Sequence, residues 1–407
     1  MNKPMNSCSL CGQCTVTCPN GFDMSQVCKS ARENMVSTDK MPLAPHEFAL
    51  MDMLFSNSDA FLCKPQTGYE TCRYVFFPGC QAGAIAPDVV MDAYEDLCAR
   101  VEGGVGLILG CCGAISEWAG RYEMTEKVNE QLKQELAKLG DPVIIAGCPS
   151  CMKQLKENTG AEVRGIWEIL KEIGLPGKAR GLEMPVAIHD ACGARGDART
   201  QDTIRELLTA MGCTVEDTEY SRDLSPCCGY GGLTAYANKE MAAKMTEKCL
   251  ERSDAPYITY CMACRDRFAR EGRESRHILE LLYGDNACNM PDISEKRYNR
   301  LVLKEKLLKN IWNEELMMEK KDYTVAYTED AIRMMDERMI LKSDVEHVLA
   351  DYRESQEAVF DEETKELVTR SRLGNVTFWV RFVETEEGYL VHRAYSHRMN
   401  IMKRVGQ

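Results

Sequence analysis

One arrangement of cysteines occurs twice in this chain, at an offset of 112 to 116 residues: a lone cysteine, then Cys-Cys-Gly, then Cys-x-x-Cys. The first set is Cys80, Cys111, Cys112, Cys148 and Cys151; the second is Cys192, Cys227, Cys228, Cys261 and Cys264. Gaps of 30 and 35 residues in the first set are matched by gaps of 34 and 32 in the second. Thiol spacing that repeats with little identity elsewhere predicts a duplicated domain built round a soft-metal site. A structural zinc site commonly takes four ligands in two spaced pairs. CPSC and CMAC alone would supply those, leaving six repeated thiols without a role. Inert buried cysteines behave as scattered hydrophobes without registered spacing. Five thiolates per repeat exceed what one cubane needs, which points to a larger or differently shaped iron-sulfur cluster.

A second metal module opens the chain. Cys8, Cys11, Cys14 and Cys18 lie in CSLCGQCTVTCP, the C-x2-C-x2-C-x3-C-P run of bacterial ferredoxins. The reading is one 4Fe-4S cubane on these four. In two-cluster ferredoxins the cysteine before proline ligates the other cluster, and no second such run is present. Cys28 is therefore the alternative fourth ligand, with Cys63 and Cys72 behind it.

PGC at Cys80, GCCG at 110–113, GCPSC ending at Cys151, then HDAC, PCCGYGG and YCMAC resemble the paired cysteine-rich CCG domains of the B-type subunits of heterodisulfide reductase. The resemblance covers roughly residues 73–285, and both five-cysteine sets are complete. It implies two noncubane 4Fe-4S clusters, one per set, which together cleave a disulfide substrate. The N-terminal segment resembles half of a C-type subunit of the same family. The implied partner is a flavin and iron-sulfur protein resembling the family's A-type subunits, or another electron donor, within a multi-subunit complex. The same repeats also occur in proteins that relay electrons for a separate dehydrogenase, and the alternative is such a relay subunit of a dehydrogenase or an electron-bifurcating complex. That alternative involves no disulfide turnover by the chain itself.

Short apolar runs precede most of the ligands: YVFFPGC, VGLILGCCG, PVIIAGC, PVAIHDAC and YITYC read as buried strands. Helical patterns such as DVVMDAYEDLCARV and KEMAAKMTEKCLER follow. The alternation predicts an α/β fold with a Rossmann-like parallel sheet in each repeat and the cysteines at strand C-terminal ends, where open sheets bind ligands. His189, in HDAC, is a candidate proton donor to a departing thiolate, against a structural role at a strand end. Arg195 and Arg199 are candidates for steering an anionic disulfide, against solvated surface arginines. Cys98, Cys213, Cys249 and Cys288 read as core or surface thiols.

The expected organisation is a ferredoxin-like helical segment over 1–72, CCG repeats over 73–180 and 181–290, a linker over 291–321 carrying one long charged helix from 295, and a small α+β domain over 322–407. In that last domain the pattern gives helix, helix, then strands in VTFWVRFVE and GYLVHRAYS. It loosely resembles BrnT- and RelE-like ribonuclease toxins. Their helix motif places a histidine and an arginine where this chain has Asp330 and Met334, so a partner-binding or regulatory module is expected rather than a nuclease. Twenty-one cysteines in 407 residues do not suit a small secreted disulfide scaffold. The N-terminus has no signal-like apolar run, which predicts a cytoplasmic protein. A net charge of −13 argues against nucleic acid as a partner.

Overall fold

The computed structural model describes residues 2–42, 45–284, 288–316, 322–373 and 376–398. The chain divides into two compact units. The first comprises Met1–Met290 with Arg297–Glu315, and the second Pro291–Lys296 with Leu316–Gln407.

The first unit contains two α/β repeats. In the first repeat, β2 (Tyr74–Phe77), β3 (Val105–Leu109), β4 (Val143–Ala146) and β5 (Val163–Gly165) form a parallel sheet, and β1 (Leu62–Lys64) adds antiparallel to β3. The second repeat is all parallel: β6 (Val186–His189), β7 (Val215–Asp217), β8 (Tyr257–Thr259) and β9 (Ser275–His277). The orders β3-β2-β4-β5 and β7-β6-β8-β9 are the same order read in two repeats. Val105–Leu109 and Val186–His189 are buried throughout, as expected of strands covered by helices on both faces. In each sheet the chain leaves the first strand in one direction and the third in the other. A crevice therefore opens between β2 and β4, and between β6 and β8, at the strand C-terminal ends. The repeats meet through Trp167, whose Nε1 donates to Thr200 Oγ1 at 3.2 Å and whose ring stands edge-on to Tyr260.

The helix expected over 295–321 is shorter, running Ile293–Leu307 and closing in a π-helical turn over Leu308–Trp312. Tertiary anchoring stops it. Trp312 stacks on Tyr94 and donates to the Pro65 carbonyl at 2.9 Å, and Asn313 turns left-handed. The stretch Arg297–Glu315 belongs to the first unit. Residues 317–321 lie outside the described residues.

The second unit is a five-stranded sheet with two helices, Glu329–Arg338 and Lys342–Ser355. Strands β10 (Thr324–Tyr327), β11 (Val359–Asp361), β12 (Glu366–Leu373), β13 (Val376–Thr385) and β14 (Gly388–His397) take the order β10-β14-β13-β12-β11. The strands expected in VTFWVRFVE and GYLVHRAYS are β13 and β14. The first three are not among the expected strands: β10 and β11 are only four and three residues long, and β12, ELVTRSRL, alternates weakly. Asp330 pairs with Arg333 at 2.7 Å on the exposed first helix. Among the described residues, no helix is long and apolar enough to cross a membrane.

Candidate metal centres

Each Cys-x-x-Cys sits at a strand-to-helix junction. Cys148 and Cys261 adopt extended backbone as N-caps, and Cys151 and Cys264 fall in the first turns of Pro149–Thr159 and Met262–Arg270. The Cys148 sulfur accepts from the backbone N–H groups of Cys151 and Ser150, the arrangement by which a helix N-terminus holds an anion. After each Cys-Cys pair the chain must reverse sharply. Gly113 at φ +86° and Gly229 at φ +88° provide the left-handed residue in both repeats.

The geometry joins both sets into one run of sulfur atoms. Cys80 is within hydrogen-bonding reach of Cys111, Cys111 of Cys112, Cys112 of Cys151, and Cys151 of Cys148. Cys148 then meets Cys261 across the repeat boundary. From Cys261 the run continues through Cys264, Cys228 and Cys227 to Cys192. The Cys264 and Cys228 sulfurs are 3.1 Å apart. Thiols that donate are pushed up and those that accept are drawn down. Cys112 falls to about 6 through Cys111 and Cys151, while Cys80 is held well above its ordinary value by Cys111. So many adjacent buried sulfurs cannot all ionise unless positive charge lies among them, because like charges in a desolvated site raise one another. Iron ions supply such charge, so the donor set fits iron-sulfur clusters. None of the 21 cysteines is in a disulfide.

The N-terminal thiols divide. Cys8, Cys14 and Cys28 lie together, and burial followed by Cys8 pushes the Cys28 thiol up to about 11. Cys11 instead reaches Cys227 of the second set. Cys18 stands apart, its sulfur drawn down by the backbone N–H of Phe22 and Asn20. Cys63 and Cys72 lie at the first sheet with Cys98, away from this group. The segment is seated on the second repeat: Arg195 donates to the Cys11 carbonyl at 2.9 Å and Gln13 to that of Leu224 at 2.8 Å. A Cβ on Gly232 would fall 2.4 Å from the Cys8 carbonyl oxygen. Only glycine permits that approach.

His189 is buried, edge-on to Phe268, with Cys228 and Cys264 close enough to form a three-ligand group. Desolvation lowers it to about 4, so its ring is neutral. Arg195 ties loops together, donating also to the Ser225 carbonyl at 2.7 Å, and Arg199 pairs with Glu168 at 3.1 Å. The hydrogens of Arg195 are thus committed to loop carbonyls, and Arg199 is an exposed side chain already paired. Cys249 donates to the Cys227 carbonyl at 3.4 Å, while Cys98 and Cys288 bond carbonyls at 3.7 Å and Cys213 is buried. All four lie outside the run. The sequence reading missed His277, which caps the helix Ile278–Leu282 within electrostatic reach of Cys148. It also missed Arg300, which donates to the Cys80 carbonyl at 3.0 Å and to Asp52. Neither residue lies in a motif, and only the fold brings them to the thiols.

A cleft of about 410 Å³ runs between the N-terminal segment and both repeats, bordered by Cys11, Cys192, Trp118, Ser150, Lys153 and Gln154. A separate, mostly apolar cavity of about 60 Å³ lies at the first set and reaches Cys261 and Tyr230.

The family of the cysteine-rich CCG domain matches residues 74–156 and 186–269. The chain thus carries two CCG domains. It is 25% identical over 243 residues to an uncharacterized iron-sulfur protein of Methanocaldococcus jannaschii, covering 56% of this chain and 48% of that protein. An uncharacterized iron-sulfur protein of Methanococcus maripaludis is 25% identical over 281 residues, or 63% of this chain and 55% of the relative. The match thus spans about half the length of these two relatives. The D-type subunit of the dihydromethanophenazine:CoB--CoM heterodisulfide reductase of Methanosarcina acetivorans is 21% identical over 313 residues, covering 67% of this chain and 73% of that relative. No solved structure matches the chain.

Proposed function

We propose that this chain is an iron-sulfur oxidoreductase subunit in which an N-terminal 4Fe-4S cubane feeds two noncubane clusters, one on each five-cysteine set, for reduction of a disulfide. The observation that carries the reading is the continuous run from Cys80 to Cys192 through the contact of Cys148 with Cys261, which holds the two sets edge to edge. The clusters would supply single electrons and iron with affinity for sulfur. The balance is one disulfide, two electrons and two protons giving two thiols. The chain's own groups position: the Cys-x-x-Cys helices hold sulfur at their N-termini, and Arg195 fixes the Cys11 loop over the second set. His189, neutral and buried beside Cys228, is suited to orienting a sulfur ligand more than to donating a proton. We take Cys8, Cys14 and Cys28, which lie together, as N-terminal ligands, with Cys11 of the same motif run turning from Cys227 to complete the set, since Cys18 stands apart. The likeness to one component of a heterodisulfide reductase supports a place in a multi-subunit complex with a flavin-containing or other electron donor.

One observation favours the relay reading. Of the ten repeat thiols, only Cys192 borders the larger cleft, so an electron path to an external acceptor needs no substrate between the sets. Metal analysis and turnover of the anaerobically purified chain decide. Three four-iron clusters give about 12 iron atoms per chain with little zinc, and disulfide reduction with a small artificial donor supports the enzyme. About four iron with stoichiometric zinc overturns both readings. Full iron without turnover leaves the relay.

A further inference from the structure

Three arginines are buried among the described residues: Arg32, Arg265 and Arg300. Arg265 pairs with Glu280 at 2.7 Å and Arg300 with Asp52 at 2.8 Å. Arg32, on the helix Met24–Ser37, is fully shielded, and among the described residues no carboxylate forms an ion pair with it. Its guanidinium donates to carbonyls: Met5 at 2.9 and 3.1 Å, Cys8 at 2.6 Å, Trp118 at 2.7 Å and Gly232 at 2.8 Å. These bonds satisfy its hydrogens, but carbonyl dipoles do not neutralise its charge. An uncompensated buried cation is strongly unfavourable. Cys28 stands one turn before Arg32 on the same helix, the Cys8 carbonyl accepts from its guanidinium at 2.6 Å, and the sulfurs of these two cysteines oppose its desolvation. The missing anion therefore belongs where those two cysteines converge.

We propose that Arg32 is the buried counter-ion of the N-terminal cluster, raising its reduction potential and fixing it at the junction of the two repeats. The inference rests on the reading that Cys8 and Cys28 hold such a cluster. A tetrathiolate four-iron cluster is anionic and gains negative charge on reduction. A fixed positive charge beside it, screened from water, stabilises the reduced form more than the oxidised one. The carbonyls it gathers belong to the N-terminal loop (Met5, Cys8), the first repeat (Trp118) and the second repeat (Gly232). One side chain thus sets both the charge beside the cluster and its position, which makes Arg32 a positioning residue.

The test compares anaerobically purified full-length Arg32→Met and Arg32→Lys with the parent chain, by iron content and by redox titration followed by electron paramagnetic resonance. The methionine variant should show a lowered midpoint potential for the N-terminal cluster, with the repeat clusters unchanged. Lysine should restore most of the shift. A loaded methionine variant with an unshifted potential overturns the proposal, as does a lysine variant shifted as far as methionine. If methionine sheds the cluster, lysine decides: a retained cluster near the parent potential supports the charge role, and loss in both variants assigns Arg32 to packing alone. Equal iron in the parent and in Cys8→Ser would mean that no cluster sits there. That is failure of the underlying reading, and this inference falls with it.

Discussion

The two repeats share a strand order and the same left-handed glycine after the Cys-Cys pair, yet their thiols are covered differently. Behind the first set lie the helices Glu47–Ser56 and Ile293–Leu307, locked by Asp52 and Arg300 against the Cys80 carbonyl. Over the second set lies the N-terminal cysteine loop, with Cys11 at Cys227 and the Cys8 carbonyl against Gly232. Local structure follows suit. Cys80 opens a six-residue helix, whereas Cys192 sits in a 3-10 turn, which leaves room for the loop above it. Duplication has kept the arrangement of the thiols and divided the surroundings. One repeat is buttressed, and the other receives the segment through which electrons would arrive.

If the sets act as one unit, the division should not show in turnover. Cys112→Ser and Cys228→Ser should each reduce disulfide turnover by at least about a hundredfold, and the double variant should be little worse, as for groups that function together. Steady-state assay with an artificial donor, with cluster loss verified spectroscopically, checks this. Near-normal turnover in either single variant would make one repeat dispensable and promote the relay.

The buttress should matter for the first repeat alone. Asp52→Asn leaves Arg300 buried without its partner, and breaking a buried pair in this way costs about 3–5 kcal/mol. Denaturant unfolding should register that loss, with iron released first from the set containing Cys80. A change of less than about 1 kcal/mol would place the pair in the class of surface ion pairs.

Gly232→Ala probes the other side. A methyl 2.4 Å from the Cys8 carbonyl, at a φ of +57°, must displace the N-terminal loop. Overpacking of this kind costs about 1–3 kcal/mol. Reduction by a protein donor should fall by up to about a hundredfold, as when a group is misplaced by about 1 Å, while turnover with a small artificial donor persists. Equal loss with both donors would mean that the loop is part of the disulfide site.

Strands β2, β3, β4, β6 and β8 were legible because their signal is local, a buried apolar run of three to five residues with a cysteine close behind it, whereas β1, β5, β7 and β9 are three-residue strands without such a run. The supports were not legible. Arg32, Arg300 and Asp52 stand in ordinary helical contexts, and their roles arise from contacts that reach across as many as 248 residues. For His277 the partner Cys148 lies in the other repeat. The helix Ile293–Leu307 was legible as a helix, but its end was not, since the stop comes from Trp312 finding Pro65 and Tyr94. In the second unit the weakly alternating β12 pairs along the edge of β13, and β11 in turn along the edge of β12.

The smallest expected effect falls on the cysteine that the ferredoxin run favours. Motif spacing makes Cys18 the fourth ligand, but proline after it ends the helix Gln13–Thr17 and turns the chain away. Its sulfur is then left to the N–H groups of Phe22 and Asn20. Cys28, in the next helix, faces inward to Cys8 and Cys14 under Arg32. Cys28→Ser should therefore remove about four iron atoms, one cubane's complement, and abolish the N-terminal signal in a redox titration. Cys18→Ser should change neither iron content nor potential. The reverse result would mean that the loop between them rearranges when iron binds and carries Cys18 inward. In that case the second repeat would be met by a different surface of the segment from the one that now rests on Gly232.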